Sequence, residues 1–195
     1  MSELQQRIDF IKAIDGLKEV QRQTLLMSKS RYENSGEHSW AVATFALTLA
    51  DYAKPGTDIN KVIHMLLLHD IVEVDAGDTF CYDDAGYEDK AEREQAAADR
   101  LFGLLPSPQA QQFRAIWDEF EAEETQESQF AAALDRMIPI LHNLNTNYEA
   151  WIKNKVSYAQ IVQRNQKIAK ANPELWDYIH TRVRQAVDSG HIPEG

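Results

Sequence analysis

Cysteine is almost absent: Cys81 stands alone in 195 residues. A single thiol excludes an internal disulfide framework and any zinc knuckle built on paired cysteines. Long apolar runs are missing as well. No stretch approaches the roughly 18 consecutive apolar residues of a membrane span. The opening Met1-Ser2-Glu3-Leu4-Gln5-Gln6 has acid and amide where a secretory leader needs basic and then apolar residues. These absences point to the cytoplasm, with no membrane partner. Positive charge is in deficit, with 20 Lys and Arg against 31 Asp and Glu and a net charge of −11. That balance argues against a nucleic-acid polymer as partner, because such binding needs basic residues to neutralise phosphates. A small phosphorylated ligand stays open, since a bound cation reverses the local sign of charge. Strand signals are also scarce: no run alternates β-branched and polar residues, and no Asn-Gly or Asp-Gly hairpin turn separates alternating apolar runs.

What is present is helical spacing over most of the chain, in a composition that is 44% hydrophobic and 26% charged. The spacing predicts a first helix from Leu4 to about Ile14, with Ile8, Ile11 and Ile14 on one face. Leu17 to Tyr32 reads as a short helix or an irregular connector. A helix entered at Asn34 or Ser35 should run to about Ala53, burying some of Trp40, Phe45, Leu47, Leu49 and Tyr52, and stopping before Pro55-Gly56. The next begins near Asp58 or Asn60 and continues through Leu66 to about Val74. An acidic loop, Gly77 to Gly86, follows. Further helices are expected over Glu88 to Leu104, from Ser107-Pro108, over Ser128 to Asn147, over Ser157 to Ala171 and from Asn172-Pro173. The fold class is therefore all-α, a bundle of roughly six to eight helices forming one domain over 1–195. Its core spans about 8–147, with C-terminal helices over 157–189. Trp and Phe residues are assigned to the core.

One stretch breaks the apolar pattern. His64-Met65-Leu66-Leu67-Leu68-His69-Asp70-Ile71-Val72-Glu73 puts ionisable residues on a helix of otherwise buried character, where charge is costly unless paired or bound to metal. His69 and Asp70 are adjacent, about 100° apart on a helix, so both can reach one ion between their directions. His38 and Asp135 lie on two other apolar helices and complete a candidate ligand set. Mixed imidazole and carboxylate donors suit one divalent cation, among Mn, Co, Ni, Fe, Zn and Mg. Glu73, four residues after His69, and Asp78, just past Gly77, are placed to orient a water or take its proton. Pro139, four residues after Asp135, removes a helical hydrogen bond and should kink that helix. A His-Asp dipeptide alone is common. His64 shares the apolar setting of His69 but has no acid after it, and is read as structural. His142 is read as a satisfied core residue, and Cys81 has no neighbouring base that would make it a nucleophile.

Taken together, Arg31-Tyr32-Glu33-Asn34-Ser35-Gly36-Glu37-His38-Ser39, His69-Asp70-Ile71-Val72-Glu73, Gly77-Asp78 and Ala133-Leu134-Asp135-Arg136 resemble the HD-domain metal-dependent phosphohydrolases. The nearest branch is the 5′-deoxynucleotidase-like one. The likeness covers about Ile8 to Asn147. It implies an all-α HD domain, often dimeric, in which His38, His69, Asp70 and Asp135 bind one divalent cation and Glu73 and Asp78 position or activate the attacking water. The reaction implied is hydrolysis of a nucleoside 5′-monophosphate, with Asp78-Thr79-Phe80-Cys81 lining the substrate. Arg22-Gln23-Thr24 stands where that branch has an Arg-Trp or Gly-Trp step, so Arg22, Arg31 or Lys90 would offset the phosphate charge. Two other readings keep the same residues: a phosphodiester or nucleoside polyphosphate as substrate, and a metal-stabilised helical module that binds a partner without turnover.

Overall fold

The computed structural model describes residues 1–83 and 85–195. Helix α1, Glu3–Ile14, is capped by the Ser2 hydroxyl and buries Phe10, while Ile8 and Ile11 stay exposed. Of the expected Ile face, only Ile14 packs inward. The segment read as a helix or connector is a 3-10 turn, Asp15–Glu19, followed by an antiparallel hairpin of β1, Gln21–Leu25, and β2, Tyr32–Asn34. The pairing Gln21↔Asn34 and Leu25↔Tyr32 is irregular between these points. Strand alternation is present in β1, but its inward residues are Arg22 and Thr24, so no apolar period marks it.

Helix α2, Ser35–Thr48, starts with a capping box in which Asn34 Oδ1 accepts from the Glu37 N–H at 2.9 Å and Glu37 Oε1 accepts from the Asn34 N–H at 2.8 Å. Its buried face is His38, Ser39, Val42, Ala43 and Ala46. Trp40 and Leu47, expected inside, are 68% and 64% exposed. Small residues occupy the inner face, which lets α2 pack closely on α3, Ile59–Leu68. Asp58 caps α3, whose buried residues are Val62, Met65, Leu66 and Leu68. His64 faces solvent and does not share the setting of His69.

The helix expected to run to Val74 ends at Leu68. His69 to Val72 form a tightened turn in which the Ile71 N–H donates to Leu68 O at 3.2 Å and the Glu73 N–H to Asp70 O at 2.9 Å. A single helical turn, α4, Glu73–Ala76, closes on Gly77 at φ +74°, a conformation that favours glycine. The His-Asp pair therefore sits at the break between two helices rather than inside one.

Helices α5, Lys90–Phe102, and α6, Ser107–Ala122, close a smaller apolar cluster with Phe10, Leu68, Ile71, Val72 and Trp117. The long α7, Gln126–Asn145, runs through Pro139 without a break and supplies Phe130, Leu134, Met137 and Ile138 to the larger cluster. Short helices α8, Glu149–Lys153, α9, Tyr158–Asn165, and α10, Ile168–Ala171, lead to α11, Pro173–Asp188, which packs Leu175, Ile179 and Val183 against that cluster. Among the described residues, the chain is all-α apart from this hairpin. Trp117 and Trp151 are core residues, whereas Trp40 is not.

Candidate metal centre

Three buried elements converge on one point. His38 comes from the first turn of α2, His69 and Asp70 from the turn after α3, and Asp135 from the middle of α7. His38 Nε2 lies 2.9 Å from Asp135 Oδ1, and His69 Nε2 lies 3.5 Å from the same oxygen and 3.1 Å from Asp70 Oδ1. Asp70 Oδ2 is 3.8 Å from His38 Nε2. Ligand atoms of His38, His69 and Asp135 all fall within 4.8 Å of one another.

The tautomers follow from the outer partners. His69 Nδ1 is 2.9 Å from Leu66 O, a carbonyl that can only accept, so Nδ1 carries the proton and Nε2 the lone pair. That buried Nε2 has no hydrogen-bond partner, yet it faces two carboxylates. A lone pair aimed at anions is unfavourable unless a cation lies between them. His38 Nδ1 is 3.3 Å from Glu33 Oε2, which favours the same tautomer. The donor set, two imidazoles and two carboxylates around a buried point, fits a divalent metal ion.

The ionisation of the cation-free site says the same. Burial works to discharge His69, but Asp70 and Asp135 outweigh it and push its pKa up to about 9. Burial and Arg22 likewise oppose the charge on His38, and contacts with Asp135 and Glu33 raise its pKa on balance. Asp135 is held well below the usual carboxylate range: burial opposes its ionisation, and the His38 and His69 imidazoles beside it prevail. Without a metal ion, the neighbouring carboxylates thus favour a proton on His69 in its place.

Glu73 and Asp78 flank this point. The Ser35 hydroxyl donates to Glu73 Oε2 at 2.5 Å, and Glu73 Oε1 lies 4.0 Å from Arg22 Nη1. Burial, with the charge of Asp70 beside it, raises the Glu73 pKa well above its ordinary value, and burial also raises that of Asp78. Arg22, reaching in from β1, donates to Asp70 Oδ2 at 2.9 Å and lies 3.6 Å from Asp78 Oδ1 and 3.5 Å from Glu33 Oε2. Burial opposes its charge, but Asp70, Glu73, Asp78 and Asp135 hold its pKa above the normal guanidinium value.

A cavity opens from Asp70, Glu73, Asp78 and Asp135 toward Trp151 and Arg164. Of the four candidate substrate contacts, Arg22, Thr79 and Lys90 line it. Arg31 is exposed elsewhere, donating to both carboxylate oxygens of Glu37 at 2.5 and 2.7 Å. Sequence reasoning assigned no role to Glu33, which is 2% exposed, to Ser35, or to Tyr87 and Arg164. A strand Glu between Tyr32 and Asn34 gives no sign of burial by itself, and Arg164 lies beyond the stretch that carried the family likeness.

Comparison with known proteins shows the family. Residues 14–176 match the family model described as HD domain. The chain is 30% identical over 138 residues to the Xenopus laevis 5′-deoxynucleotidase HDDC2, covering 70% of this chain and 67% of that protein. It is 26% identical over 135 residues to the Homo sapiens 5′-deoxynucleotidase HDDC2, covering 69% and 65%. It thus spans about two thirds of the length of these relatives. A solved structure from Magnetospirillum magnetotacticum MS-1, described as a predicted metal-dependent phosphohydrolase, is 46% identical and superposes with a TM-score of 0.94 over 98% of this chain and 96% of that one. A conserved hypothetical protein from Pyrococcus furiosus shares the fold, at 21% identity and a TM-score of 0.64 over 91% and 99%. The chain belongs to the HD-domain family of metal-dependent phosphohydrolases.

Proposed function

We propose that this protein is a phosphomonoesterase that hydrolyses nucleoside 5′-monophosphates, with deoxynucleotides first among them. One divalent ion would be held by His38, His69, Asp70 and Asp135. The observation that carries the metal assignment is the unpartnered His69 Nε2 facing two carboxylates. The substrate class rests on the cavity beside it and on the relatives named 5′-deoxynucleotidase. When bound, a divalent ion supplies positive charge that polarises a phosphoryl oxygen and makes a water more acidic.

The protein's own groups account for the rest. Glu73, fixed by Ser35 and made a stronger base by burial, accepts the proton of the attacking water. Asp78, at the rim of the same acidic group, orients that water or the leaving hydroxyl. A P–O bond to water forms as the ester P–O bond breaks, and the 5′-oxygen leaves as a hydroxyl, taking up the proton that Glu73 removed from the water. Arg22 balances the carboxylates, while Thr79 and Lys90 line the way in. We read 1–195 as one such domain, since α11 shares the apolar cluster of α2, α3 and α7. No helix among the described residues is long and apolar enough to cross a membrane. A cytoplasmic homodimer completes the proposal, supported by the lone cysteine and by the exposed Trp40 and Leu47 on α2 and Tyr178 on α11.

The test is phosphate release from a panel of nucleoside monophosphates by protein loaded with Mn, Co or Mg. Turnover that is lost on chelation and restored by metal supports the reading. Bound metal with no turnover on any phosphomonoester overturns it.

A further inference from the structure

Six buried side-chain nitrogen and oxygen atoms among the described residues lack a hydrogen-bond partner, and four of them gather around one carboxylate. That carboxylate is Glu33, the middle residue of β2, and its own Oε2 is one of the four. The others are His38 Nδ1, 3.3 Å from Oε2, Arg22 Nε, 3.5 Å from Oε2, and His142 Nδ1, 3.9 Å from Oε1. His142 is therefore buried but not satisfied, contrary to the expectation from the sequence. Buried polar atoms short of partners are rare, and four that face one another call for a reason.

Resting on the metal assignment above, we propose that Glu33 is a positioning residue of the metal centre: it accepts from the His38 Nδ1–H and so keeps the Nε2 lone pair free for the cation. What matters is which nitrogen carries the single proton of a neutral ring. His38 Nε2 lies 2.9 Å from Asp135 Oδ1, close enough to donate to it. A proton there would block the atom that has to bind metal. It would also set the Nδ1 lone pair against the Glu33 carboxylate, two groups that can only accept. With the proton on Nδ1, Glu33 accepts it, and the Nε2 lone pair is left facing Asp70 and Asp135. His69 meets the same requirement through the neutral carbonyl of Leu66. A carboxylate in that role also makes the imidazole a more basic ligand.

The fold holds Glu33 at this place. Gln21 pairs with Asn34, and one step further along the hairpin the side chains of Arg22 and Glu33 are 12% and 2% exposed. Asn34 is also the N-cap of α2, and its capping box fixes the step from strand to helix. The spacing of Glu33 and His38 is thus set by the strand on one side and the first turn of α2 on the other. Arg22 answers the cost of burial: a carboxylate inside the protein needs a cation near it, and the guanidinium lies against the same Oε2. A role in folding alone would be served by a closed Arg22–Glu33 hydrogen bond. Here Oε2 stays open between Arg22 and His38.

The test compares wild type with Glu33→Ala and Glu33→Gln, using Co(II) alone as the probe. Affinity is measured by competition with a chelating dye, the environment of the ion by its visible absorption, and the fold by thermal melting of the metal-free protein. In Glu33→Ala, Co(II) affinity should fall at least about 10-fold, the usual scale for losing the outer partner of a metal-bound imidazole, and the absorption band should shift. Glu33→Gln keeps an oxygen acceptor and loses the charge, so it should bind less tightly than wild type and more tightly than Glu33→Ala. It decides the question if the Ala variant does not fold. A wild type that binds Co(II), with affinity within about twofold and an unshifted band in the variants, overturns the role of Glu33 and leaves the metal assignment standing, whatever the melting temperatures. A wild type that binds no Co(II) overturns both.

Discussion

His38 and Asp135 are 97 positions apart in the chain, and their side chains meet at 2.9 Å between Nε2 and Oδ1. Packing of α2 and α3 against α7 brings them together, and His69 reaches the same Asp135 oxygen from the turn after α3. The candidate metal centre is thus a product of the core: the helices that bury Val42, Met65 and Leu134 also set the distances among its side chains.

Asp135 Oδ1 lies 2.9 Å from His38 Nε2 and 3.5 Å from His69 Nε2, so its removal should dismantle the centre. Asp135→Asn keeps the volume and loses the charge. Metal affinity is expected to fall at least about 100-fold, and metal-dependent turnover with it, as measured by competition with a chelating dye and by phosphate release. A variant that binds metal as tightly as wild type would contradict the placement of Asp135.

Glu73 tests catalysis apart from metal binding. Glu73→Gln should retain metal and melting temperature while kcat falls by about 100-fold or more, the usual scale of a lost general base. If the protein were a metal-stabilised binding module, this substitution would leave its function intact.

Metal uptake should be coupled to pH. The cation-free His69 titrates at about 9 and must be neutral to coordinate, so binding displaces its proton at any lower pH. Apparent affinity should therefore increase with pH by about tenfold per unit for each proton displaced, levelling off above about 9. Titration calorimetry in buffers of different ionisation enthalpy counts the protons. An affinity that stays flat between pH 6.5 and 8.5 would contradict the assignment.

A second acidic residue makes a prediction about the fold alone. Glu123 accepts from Arg136 and from Lys167 at 2.6 and 3.0 Å. Burial opposes its ionisation, but the two cations hold its pKa below the ordinary value. A depressed folded-state pKa contributes stability above the unfolded-state value, and that stability is lost as pH falls through the folded-state value. Glu123→Gln should cost about 1 kcal/mol at pH 7, with the difference from wild type closing in strong acid. Urea melts at the two pH values measure it.

The candidate ligands are legible in the sequence because each requirement shows in residue type. A His-Asp pair, a His and an Asp on apolar helices stand out where burial would otherwise exclude charge. The helix break was not legible, because Leu68 to Val74 contains neither Gly nor Pro; the turn is set by tertiary packing of Ile71 and Val72 into the smaller cluster. The hairpin was hidden for the opposite reason. Its inward residues, Arg22 and Thr24, face polar ground, so the apolar alternation that marks a half-buried strand is missing. Trp40 shows a third limit: hydrophobicity alone does not choose between the core face and the solvent face of α2 when Ala43 and Ala46 make the close contact.

The proposed metal centre reserves His69 Nε2 for a cation. Elemental analysis of the purified protein and of His69→Ala, with phosphate release assayed on the same samples, tests it most directly. About one divalent ion per chain in wild type, near-complete loss in His69→Ala and a parallel loss of turnover are expected. Equal metal content in the two proteins, or turnover that persists in the metal-free variant, would contradict the account.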